Sequence, residues 1–154
     1  MERQNSVYVR MLEDVLKKKE HLLRDILERT REQEALLKQE ELNQERFHEI
    51  LEEKGRWIEA LNEMDEGFDT LFAKVESEIR SHKDQYKENI QRMQKSIVIV
   101  SEYGMKIQAL ENQNSERLKA YLSAERKKIR EYHMNSQTAS RYYRNMTNTH
   151  IPEQ

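Results

Sequence analysis

The sequence contains no cysteine, one proline and three glycines in 154 residues. The first absence excludes disulfides and thiol chemistry and fits a reducing compartment. The scarcity of proline and glycine leaves few turn formers, and the abundance of Glu, Lys, Arg, Gln and Leu favours long helices. Long apolar runs are missing as well. The longest is IVIV, Ile97 to Val100, against the roughly 20 residues that a membrane-spanning helix needs. The opening stretch MERQNSVYVRMLEDVLKKKE lacks the apolar centre of a signal peptide, so a cytoplasmic chain without membrane insertion is expected. A net charge of -2 gives no basic footprint for nucleic acid. The basic runs Lys17–Lys19 and Arg126–Arg130 sit among glutamates and read as solvated helix faces.

Charged residues make up 36% of the chain and hydrophobic ones another 36%, with a mean hydropathy of -1.08. Such a chain cannot fill a thick core. It can fill the narrow seams of a bundle in which each helix buries one stripe. Disorder has the same polarity, but sustained helical periodicity argues against it. The first stripe runs through Tyr8, Leu12, Val15/Leu16, Leu22/Leu23, Ile26/Leu27 and Leu36/Leu37, wide enough for a helix touching two partners. The second runs from Phe47 through Trp57/Ile58, Leu61, Met64, Phe68 and Leu71/Phe72 to Ile79. The third runs from Tyr86 through Ile90, Met93, Ile97, Val100, Gly104, Ile107 and Leu110 to Tyr132. The fold class expected is therefore all-α, an elongated antiparallel bundle of three long helices. Turns fall near 42, where Asn43 suits a helix cap, and near 82, where Ser81 and Asp84 resemble a capping box. The bundle is expected over residues 1–133, and 134–154 form either a short fourth helix or a flexible tail.

The stretch ALNEMDEGFDTLF, Ala60 to Phe72, is where chemistry could lie. A calcium loop with Gly67 at its sixth position would need ligands at Met64 and Ala73, which cannot serve. A di-iron bundle needs two Glu-x-x-His units, and the chain has one, Glu45 to His48. No Gly-x-Ser-x-Gly elbow or phosphate loop is present. The sequence therefore points to no enzyme, no metal and no cofactor.

The stretch then reads as helix interior. Asp65 steps in phase with Ile58, Leu61, Phe68 and Phe72, which points it inward, where an unpaired charge is costly. A hairpin folded at residue 42 sets it opposite Lys19, with Lys18 or His21 next nearest. The other reading is an Asp at the seam edge that reaches water. Folding at residue 82 sets Gly104 opposite Ala60 and Gly67 opposite Ile97, so both glycines are expected to permit close helix approach.

Three segments, LNEMDEGFDTLFAKV, IQALENQNSERL and SQTASRYYRNM, occur in that order with helical spacing between them. In these the chain resembles the FlgN-like flagellar export chaperones over most of its length. The resemblance implies a small cytoplasmic bundle that binds C-terminal helices of hook–filament junction proteins and delivers them to the flagellar export gate. It implies that the substrate helix lies on an apolar C-terminal surface, here Leu118, Tyr121, Leu122, Ile129 and Tyr132. A gate-docking tyrosine would match Tyr132, Tyr142 or Tyr143. Chain arithmetic points the same way: beyond about residue 122 the third helix outruns the second, yet it still carries Leu122, Ile129, Tyr132, Tyr142, Tyr143 and Met146. The alternatives are a FliT-like chaperone for another flagellar substrate, a structural coiled-coil or adaptor that works as a homodimer, and a metal-binding four-helix protein.

Overall fold

The computed structural model describes the backbone of residues 2–147 and the side chains of residues 7–134. The elements are α1 (Glu2–Leu37), α2 (Gln44–Ser81) and α3 (Lys87–Thr147), and the described residues contain no strand. The fold is all-α with three long helices, as the stripes imply. Residues 134–147, expected to start a tail or a fourth helix, belong to α3. Two compact units divide the chain, Met1–Asn114 and Ser115–Gln154.

The first turn is set locally. Asn43 adopts extended backbone, and its side chain accepts the Arg46 N–H at 3.1 Å, which caps α2 as expected. At the second turn the expected capping box does not form. Ser81 still belongs to α2, and its hydroxyl donates back to the Ser77 carbonyl at 3.3 Å. The chain is closed off by His82, whose N–H reaches the carbonyls of Glu78 and Ile79. The next helix begins at Lys87, where the Tyr86 carbonyl accepts the Ile90 N–H at 2.8 Å.

Within the first unit, α2 runs antiparallel to α1. Arg29 meets Glu53 at 3.1 Å, and Arg46 reaches back to Glu32 at 2.5 Å. Up to Asn114, α3 runs parallel to α1, with Arg92 on Glu13 at 3.1 Å and the Asn114 amide on the Thr30 carbonyl at 3.1 Å. The width of the first stripe has its explanation here, because α1 packs against both neighbours. Val9, Leu12 and Leu16 of α1 bury with Val75, Tyr86 and Met93 near the second turn. Ile26, Leu27, Leu36, Phe47 and Ile50 are buried toward the first turn. Each large apolar side chain so buried contributes about 1.5–3 kcal/mol.

Two helices differ from their expected phase. On α2 the inward positions include Lys54, Leu61, Met64, Phe68, Leu71 and Val75, and Asp65 is exposed. On α3 Ser96 is buried where Ile97 was expected, and Ile97 and Gly104 lie outside. The run SIVIV offers apolar groups in every direction, so it cannot fix its own rotation. Tyr86, Met93, Val100, Ile107 and Asn114, spaced by sevens, fix it instead.

Candidate functional site

The residues first expected to bind a partner lie in the second unit. Leu118 and Tyr121 are half-buried. Leu122, Ile129, Tyr132 and Met134 are exposed, the last three by 55, 72 and 66%. Leu122 and Ile129 stand seven residues apart and share a helix face. Tyr142, Tyr143 and Met146 belong to α3, but their side chains lie outside the described residues.

The first unit carries an apolar groove that the sequence did not single out. Leu12 and Leu16 of α1 form its floor. Phe68, Phe72, Val75 and Ile79 of α2 form one wall, and Ile90, Met93 and Ile97 of α3 the other. Its volume is about 240 Å³. Phe68 and Phe72 stack with ring centroids 6.0 Å apart. The rims are wet, with Phe72 41% and Ile97 45% exposed. The signal was present in the doubled positions Leu71/Phe72, since only one member of such a pair can face α1.

Beside the groove, Lys19 pairs with Asp65 as the hairpin arithmetic expects. The ammonium also lies 4.3 Å from the Phe68 ring centroid. The inward placement of Asp65 is corrected, however. Its side chain is 58% exposed, against 13% for Lys19, because a lysine can cover the seam with its stem while an aspartate is too short to leave the edge. A double-mutant cycle with Lys19→Ala and Asp65→Ala is therefore expected to give a coupling of about 0.5–1 kcal/mol, the scale of an exposed pair. A coupling of about 3 kcal/mol or more in thermal or urea unfolding would place Asp65 in a desolvated site.

Gly67 and Gly104 do not serve helix approach. A Cβ added at either would have nothing within 4 Å.

The buried charge of α2 is Lys54, 5% exposed. Its ammonium donates to the Gln33 Oε1 at 2.6 Å and pairs with Glu111. Thr30 is fully buried beside it, with its hydroxyl 2.7 Å from the Ile26 carbonyl and 3.3 Å from Glu111 Oε1. The Asn114 amide closes the layer on the Thr30 carbonyl. Side chains of all three helices thus meet in one polar layer. The apolar stripes gave no reason to single out Lys54, although it stands midway between Phe47 and Leu61 in a seven-residue repeat.

A second charge network ties α1 to α2 near the first turn. Arg46 bonds Glu32, Glu49 and Glu53, and Arg29 bonds Glu53. The hydrogen bond from Arg46 holds the Glu32 carboxyl below the usual carboxylate range, and that from Arg29 does the same for Glu53. Arg46 is correspondingly pushed up by Glu32 and Glu49. These ion pairs lie on a half-exposed surface and tie α1 to α2.

No metal-ligating group of three acidic or histidine side chains occurs among the described residues. In the single Glu-x-x-His unit, His48 pairs instead with Glu52 at 3.1 Å. No described helix is long and apolar enough to cross a membrane. What the described residues offer is a set of helix-packing surfaces. No family model, curated protein or solved structure matches this chain.

Proposed function

We propose that the protein is a cytoplasmic chaperone of the flagellar export type that acts by binding, without catalysis. The apolar face of residues 118–134 receives a C-terminal helix of a hook–filament junction protein and carries it to the export gate. The observation that supports this most is the exposed set Leu122, Ile129 and Tyr132, which step by seven and three along one face of α3. Large apolar side chains left in water at helical spacing are the usual mark of a helix-docking face. The resemblance of three segments to FlgN-like chaperones supplies the identity of the partner, and the exposure of Tyr132 suits it to contact with a gate.

Fluorescence anisotropy with labelled C-terminal helices of junction proteins tests the reading. The double variant Leu122→Asp/Ile129→Asp is expected to weaken binding by about 100-fold or more, since two large apolar contacts are lost. Both positions are exposed, so helicity by circular dichroism is expected to stay unchanged. Equal affinity of the variant and the wild type would place the substrate surface elsewhere. Binding only to helices of a different flagellar substrate would favour the FliT-like alternative.

A further inference from the structure

We propose that the outer face of α3 between Gln91 and Gln108 is a dimer interface, on which α3 of a second copy packs antiparallel. Gln91, Gln94, Val98, Ser101, Met105 and Gln108 follow one another by threes and fours, so they share one helix face. All six are exposed. None is charged, although charged residues make up 36% of the chain. Charge is not scarce in this stretch, since Arg92, Lys95, Glu102 and Lys106 are exposed at positions between them. It is missing only from the row. The opposite face of the same helix buries Met93 and Ser96, so the row does not serve the bundle. Exclusion of charge, with methionine admitted, marks the centre of an interface, and steps of three and four make the seam of a helix pair.

The flank of the row selects the occupant. Lys95 and Glu102 stand seven residues apart and border, with Gln91, Gln94 and Val98, one shallow depression of this face. Neither makes an ion pair among the described residues. When a two-fold axis passes α3 between Ile99 and Val100, Lys95 of each copy meets Glu102 of the other. The same axis layers Gln91 on Gln108, Gln94 on Met105 and Val98 on Ser101, each layer occurring twice. A glutamine amide both donates and accepts, so the Gln91–Gln108 layers satisfy themselves. Sliding one helix by seven residues sets Lys95 against Lys95 or Glu102 against Glu102. A parallel pair sets the two charges against Ile97 and Ile90. Flanking charges of this kind fix partner and orientation in helix pairs, and here they fit a second copy of the same face, as an isologous contact requires. The row and its flank lie within the unit Met1–Asn114. They share no residue with the 118–134 face, so the inference stands apart from the chaperone reading.

Sedimentation equilibrium of the full chain without peptide tests it. A dimer is expected. Lys95→Glu and Glu102→Lys each bring like charges together twice, and each should raise the dissociation constant at least about tenfold. The exchanged variant Lys95→Glu/Glu102→Lys should dimerise as the wild type does, because both pairs return with their signs reversed. Val98→Asp/Met105→Asp is expected to be monomeric with unchanged helicity, since both positions are exposed. Leu122→Asp/Ile129→Asp, which should lose the substrate helix, is expected to remain a dimer. A monomeric wild type, a dimer indifferent to both single reversals, an exchanged variant as weak as either of them, or a dimer that depends on Leu122 and Ile129 instead would each overturn the proposal.

Discussion

Replacing Lys54 with methionine is expected to lower the unfolding free energy by about 2–3 kcal/mol, read as a lower urea midpoint at constant slope. Methionine keeps most of the stem and removes only the donor. The buried Gln33 Oε1 then loses the ammonium that lies 2.6 Å away, and Glu111 loses its cation. Breaking a fully buried pair costs about 3–5 kcal/mol. The Glu111 side chain is 41% exposed, so water screens the carboxylate left behind, and the lower figure applies. Removing the whole set, Lys54→Met with Gln33→Leu and Glu111→Met, is expected to recover most of the loss, because no charge is then stranded. A single Lys54→Met variant as stable as the wild type would mean that this ammonium does not organise the layer.

Converting all three glycines to alanine is expected to stabilise the protein by about 1.5–3 kcal/mol, at roughly 0.5–1 kcal/mol per site. Gly55 and Gly67 lie inside α2 and Gly104 inside α3. At each of them the position that a methyl would take has no atom within 4 Å, so the entropy lost by each glycine on folding is saved without a clash. None of the three added methyl groups touches a neighbouring atom, so they share no contact and the gains are expected to add. Melting curves of Gly55→Ala, Gly67→Ala and Gly104→Ala, singly and together, measure this. A fall in Tm for Gly67→Ala or Gly104→Ala would restore the close-approach role that the open space argues against.

Helix number and the places of both turns followed from the sequence, because apolar stripes at helical spacing and a capping Asn43 are encoded within a few residues of where they act, whereas α3 continues to Thr147, past the stripe that ends at Tyr132. The Lys19–Asp65 pair followed too, since a hairpin's register is fixed once its turn is placed. The rotation of each helix about its own axis did not. Pairs such as Leu71/Phe72 and the run Ile97 to Val100 offer two adjacent faces, and only packing against α1 decides which one is buried. That choice turned Asp65 and Ile97 outward and Lys54 and Ser96 inward. It also made the groove, whose walls come from α2 and α3 and whose floor comes from α1. Local sequence sets which residues can be helical, whereas burial is a property of what three separate helices leave uncovered, and that sum exists only in the folded chain.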